Sequence, residues 1–208
     1  MNLLKMLGSA RRLLITASVV VACLAALPVR AETVHDIDPL DNAVFVFGGR
    51  FHSQYFQWGF VPMFATYENN FLLGAGYQHF FLSGNNVRIG GEVGAALRFG
   101  DSTSQEVWAG IVGRYDGFVL GNVRVSPAFT FGLSYETGTV GIEGTRQAMY
   151  GGDPTILFYM GPELNLSWAD NPNFEVFWRI QHRSGAWGTV GNFSDGANAT
   201  TVGLRWHF

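Results

Sequence analysis

His182 and Ser184 stand two residues apart in Arg179-Ile-Gln-His-Arg-Ser-Gly185. On an extended strand alternate residues project from one face, so an imidazole and a hydroxyl at this spacing come within hydrogen-bonding reach. Such a pair supplies the parts of a covalent hydrolase: the imidazole takes the hydroxyl proton and the oxygen attacks a carbonyl carbon. The spacing also suits a plainer role, because strand ends that enter a headgroup zone carry His, Ser and Arg without catalysing anything. The other histidines, His35, His52, His79 and His207, have no such partner at this spacing. His79, beside Phe80 and Phe81, reads as interfacial. No spacing of His, Asp and Glu suggests a metal site, and no cofactor is expected.

The element that must position the pair is a strand. Along 174–184, Phe174, Val176, Trp178 and Ile180 define one side, and Glu175, Phe177, Arg179 and Gln181 the other; His182 and Ser184 continue the apolar side. The last stretch repeats the pattern, with Val202, Leu204, Trp206 and Phe208 opposite Gly203, Arg205 and His207. Strands are expected at 43–51, 71–82, 87–99, 105–115, 123–135, 155–168, 174–184 and 197–208. A tilted strand of about 9–11 residues crosses a membrane. Turn-rich links at 83–86, 116–122 and 169–173 alternate with longer ones at 52–70, 136–154 and 185–196; the link at 100–104 is short. The fold class expected is all-β, an eight-stranded antiparallel transmembrane barrel of outer-membrane type, with both ends on the periplasmic side. Its interior is filled by side chains. Arg88, Glu92, Arg98, Glu106, Arg114, Arg124, Glu163, Glu175, Arg179 and Arg205 form the inward charged set, read as a mutually neutralising network that holds the barrel together. His182 and Ser184 are expected to face lipid near the outer end of their strand.

Composition narrows the alternatives. Lys5, Arg11 and Arg12 precede an apolar run, Leu13–Leu27, and Val29-Arg30-Ala31 forms a cleavage site before Glu32, so residues 1–31 read as an export signal and 32–208 as one barrel domain. The single cysteine, Cys23, falls within the signal, which leaves no disulfide framework and no thiol nucleophile. Four of the thirteen Lys and Arg residues and none of the sixteen acids lie in the signal, leaving nine basic residues against sixteen acidic ones. An acidic chain with no basic cluster is no nucleic-acid binder.

With a terminal aromatic, Arg179-Ile-Gln-His182-Arg-Ser184-Gly on the penultimate strand and Gly196-Ala-Asn198 opening the last, the chain resembles the PagL family of lipid A 3-O-deacylases. The resemblance implies an ester hydrolase of the Gram-negative outer membrane, with lipid A of lipopolysaccharide as substrate and surrounding lipid as partner. A homodimer is left open. It implies His182 as base and Ser184 as nucleophile on the barrel's outer surface. The family's acid falls at Asn198, so either Asn198 or the nearby Asp195 holds the imidazole. Where the family often has Asn after the serine this chain has Gly185, and the backbone N–H of Gly185 or Ala186 takes the place of the oxyanion donor. Two other readings compete. One is a non-enzymatic structural or adhesive barrel acting through links 52–70 and 136–154. The other is an acyltransferase barrel that binds its acyl chain inside, against which the outward direction of the pair counts.

Overall fold

Valine, leucine and aromatic side chains alternate with buried polar ones along the strands, and a sheet with one apolar face and one polar face must close on the polar side if lipid covers the other. The computed structural model describes residues 41–208. The expected export signal, with Cys23 and also His35, lies outside the described residues. The strands are β1 (Asn42–His52), β2 (Tyr67–Gly84), β3 (Val87–Gly100), β4 (Ser104–Tyr115), β5 (Phe118–Leu120), β6 (Val123–Glu136), β7 (Ile156–Trp168), β8 (Asn171–Ser184) and β9 (Asn198–His207). β4 pairs with β6 from Glu106↔Glu136 to Arg114↔Ala128, and β5 takes over at Phe118↔Val125. The three-residue β5 therefore continues β4 past a break at Asp116-Gly117. Among the described residues the barrel has eight long antiparallel strands. It closes where β1 meets β9, from Ala43↔His207 to Phe51↔Ala199.

The short links lie at one end. Asn85 and Asn86, both with positive φ (50° and 61°), make the two-residue turn between β2 and β3, where the strand twist favours left-handed residues. At the other end the link between β3 and β4 is short, as expected, while the remaining three are long, and two of them carry structure that hydrophobic alternation does not reveal. Segment 53–66 contains two short 3-10 turns, Phe56–Phe60 and Pro62–Phe64, and the link after β6 contains a helix, α1 (Ile142–Tyr150).

Val46, Leu97, Ile111, Phe131, Leu166, Val202 and Trp206 belong to an exposed apolar belt around the wall. Contiguous apolar surface of this kind needs lipid or another apolar surface against it. The expected inward charges point inside. Arg179 meets Glu92 at 2.8 Å and Glu163 at 2.7 Å, Arg205 meets Glu163 at 2.8 Å, and Arg114 grips Glu175 and, at 2.6 Å, Asp116. Arg124 is only half-buried. Arg183, Glu136 and Glu143 join the network without having been expected there. Phe45, Phe47, Phe177 and Trp108 fill the space between the charges, with the Arg179 guanidinium 4.8 Å from the Phe45 ring centre. Glycines on neighbouring strands make room for the rings: a Cβ at Gly203 would meet Phe177 at 2.3 Å, and one at Gly94 would meet Trp108 at 2.2 Å.

Candidate functional site

β8 holds its alternation to the end, so Trp178, Ile180, His182 and Ser184 lie on the outer side of the wall. The expectation of lipid exposure needs correction, however. His182 is 2% exposed and Ile180 is fully buried. Segment 53–66 folds back over them. The Phe56 ring lies 4.4 Å from the His182 ring, centre to centre, and Phe60 lies 6.2 Å from Trp178. Gly59 sits so close to Ile180 that a Cβ there would approach it to 2.9 Å. The physical cause is the composition of the flap: Phe56 and Phe60 cover apolar surface of the barrel wall as lipid would.

Asn198 is the residue opposite His182, on β9. Its Oδ1 lies 2.5 Å from His182 Nδ1, while its Nδ2 donates to the Gln54 carbonyl at 3.1 Å. Because the amide nitrogen is spent on a carbonyl, the oxygen facing the ring must accept. Nδ1 therefore carries the proton and Nε2 presents its lone pair. This is the tautomer a general base needs.

Ser184 is half-buried and points elsewhere. Its hydroxyl donates to the Ser194 carbonyl at 3.1 Å and accepts from the Ala186 N–H at 3.1 Å. Among the described residues no hydrogen bond joins it to His182. Ala186 is thereby occupied, which leaves Gly185 as the candidate oxyanion amide. A Cβ at Gly185 would come within 2.6 Å of both the Phe193 and the Val190 carbonyls, so the loop requires glycine there.

Asp195 does not reach the imidazole. It pairs at 2.9 Å with Arg146 of α1, whose guanidinium also donates to the Gly196 carbonyl at 2.6 Å and lies 5.1 Å from the Tyr55 ring centre. Burial raises the Asp195 carboxyl to about 6; Arg146 opposes the shift and Glu143 adds to it.

Three residues of this patch escaped the sequence: His52, Arg146 and Phe56. His52 is fully buried, and its ring nitrogens have no hydrogen-bond partner among the described residues. It sits one position past the Phe51↔Ala199 pair, beside Asn198. Ring closure makes the first and last strands neighbours, and that was the available signal. Arg146 and Phe56 lie in links whose sequence carries no periodic signal. His207, by contrast, points into the barrel, with Nε2 3.1 Å from Glu175.

No protein-family model matches the chain, and no curated protein matches it. Among solved structures it is similar to the outer membrane enzyme PagL at 14% identity, covering 80% of this chain and 99% of that one with a TM-score of 0.51. It is similar to Neisserial surface protein A at 13% identity, covering 80% and 97% with a TM-score of 0.49. A third likeness is to the N-terminal β-barrel domain of Pseudomonas aeruginosa OprF, at 10% identity, covering 82% and 98% with a TM-score of 0.46. The likeness to PagL shows the fold alone: a small barrel of the outer-membrane type.

Proposed function

We propose that this chain is an outer-membrane ester hydrolase, a lipid A 3-O-deacylase that releases the 3-hydroxyacyl chain ester-linked at the 3-position of lipid A. The observation that supports it best is the His182–Asn198 pair on the outer wall, with its imidazole in the tautomer of a base and Ser184 two residues along. In this reading His182 Nε2 takes the Ser184 proton as the hydroxyl oxygen adds to the ester carbonyl. Asn198 holds the ring in orientation, and the Gly185 N–H meets the oxyanion. The protonated imidazole then gives its proton to the departing sugar oxygen, and water cleaves the acyl-serine to release the fatty acid. Reaction on the wall lets the lipid stay in its leaflet. It also requires segment 53–66 to lift from His182, and Ser184 to leave the Ser194 carbonyl. Asp195 acts at a distance, by fixing Arg146.

Mass spectrometry of lipid A from cells expressing the wild-type chain or Ser184→Ala tests this. Loss of one 3-hydroxyacyl chain only with the wild type is the expected result; identical lipid A from both rules it out. The two hydrogen bonds that tie Ser184 to its own loop favour a second reading, a non-enzymatic barrel that acts through the segments between β1 and β2 and between β6 and β7. That reading expects lipid A to be indifferent to both His182 and Ser184.

A further inference from the structure

Beyond the wall, a pocket of about 390 Å³ opens between segment 53–66, α1 and the link from β8 to β9. Tyr55, Tyr150 and Trp187 line it together with Arg146, Asp195 and Asn192. The three aromatic residues are 60%, 73% and 94% exposed. Large rings left in the open contribute almost nothing to folding, and exposed apolar surface grouped around a concavity marks a binding site. Trp187 is moreover held at φ 57°, a left-handed conformation that a residue with a Cβ adopts at a cost. Fold stability alone does not explain a tryptophan there.

The polar groups narrow the ligand. Arg146 and Asp195 form a mutually compensated pair, with side chains 12% and 16% exposed, so the pocket offers donors and acceptors without a large net charge. Flat rings beside paired donors and acceptors match a pyranose, whose C–H face packs on an aromatic ring and whose hydroxyls both donate and accept. A purely apolar chain would leave the ion pair desolvated and unserved. Ser194 also lines the pocket, and its carbonyl takes the Ser184 hydroxyl, so a ligand here adjoins the candidate nucleophile.

We propose that this pocket is a saccharide subsite, with Trp187, Tyr150 and Tyr55 stacking on a sugar ring and Arg146, Asp195 and Asn192 binding its hydroxyls. As the place where the headgroup of an acylated sugar sits, it rests on the hydrolase reading; as a saccharide site it stands apart from it. The test uses the full barrel refolded in detergent micelles, with binding followed by tryptophan fluorescence and calorimetry. Two probes separate the sources of the sugar: de-acylated lipopolysaccharide, and chitotetraose as a lipid-free glucosamine-based glycan. Binding of de-acylated lipopolysaccharide, weakened tenfold or more by Trp187→Ala and by Tyr150→Ala, is the expected result. Binding of chitotetraose alone, weakened by the same variants, supports the saccharide site and overturns its assignment to the lipid headgroup. No binding of either probe, or binding that both variants leave unchanged, overturns the proposal. Gel mobility before and after boiling reports that the variants fold, as both positions are exposed. Ester hydrolysis by the wild type without saccharide binding defeats the pocket alone; saccharide binding without hydrolysis defeats the hydrolase reading alone.

Discussion

The barrel interior and the covered patch on its outer wall are both polar places in an otherwise apolar setting, and they are built in opposite ways. Inside, charge meets charge: Arg179, Arg205 and Arg114 are each within ion-pairing distance of one or more carboxylates. On the wall, where alternation calls for residues that suit lipid, β8, β9 and β1 instead carry His182, Asn198 and the fully buried His52. A buried charge set of the first kind behaves as a strut, costly to interrupt and indifferent to what lies outside. The second kind carries no ion pair, and buried polar groups set on an otherwise apolar wall are more often kept for what they bind or transform.

The strut should break first and hardest. Arg179→Ala takes the cation from Glu92 and leaves Glu163 with Arg205 alone, and losing one partner of a buried ion network costs about 3–5 kcal/mol. Refolding yield in detergent and boiling-dependent gel mobility should both collapse. A well-folded Arg179→Ala barrel would show that the interior charges are not structural.

The wall should respond in activity and not in folding. On the hydrolase proposal Ser184→Ala and His182→Ala are each expected to lower ester hydrolysis on the order of 10³-fold or more, and the double variant little further, as for two residues that act as a unit. Additive losses would separate them. A smaller effect belongs to Asn198. Asn198→Ala frees the ring to turn, and misplacement of a catalytic group costs on the order of 10²-fold. Asn198→Asp, which supplies a charge to the developing imidazolium, should keep or raise the rate. Asp195→Ala should do less than Asn198→Ala, since Asp195 touches Arg146 and not the imidazole; the reverse order would move the orienting role to Asp195.

The smallest effect is one of pH. The folded protein holds the Asp195 proton to about pH 6, above the ordinary 3.8, so the folded state binds it more tightly than the unfolded chain does. Stability should therefore decline modestly as pH rises from about 4 to about 6 and level off above. Asp195→Asn should flatten that slope in denaturant titrations followed by tryptophan fluorescence.

How much of this was written in the sequence depends on period. Strands with a two-residue repeat announced themselves, and most ends lie within a few residues of those expected; β2 begins at Tyr67 instead of 71 because Tyr67–Asn70 carry no apolar alternation. The sides of β8 and β9 were legible for the same reason, and so was the placement of His182 and Ser184 on one side. The covering of His182 was not, because Phe56–Phe60 has no period that says whether it lies over water, lipid or protein. The turn of Ser184 toward Ser194 was hidden as well, being decided by the loop after the strand.

Closure between β1 and β9 has a bearing on timing. Asn198 comes from the last strand, His52 from the first, and the flap over both begins directly after β1. Until the two edges zip together, the imidazole on β8 has neither its full surroundings nor its cover. A chain whose two edges are still apart thus holds the residues of the patch but not the patch itself, so any ester cleavage would report a closed barrel.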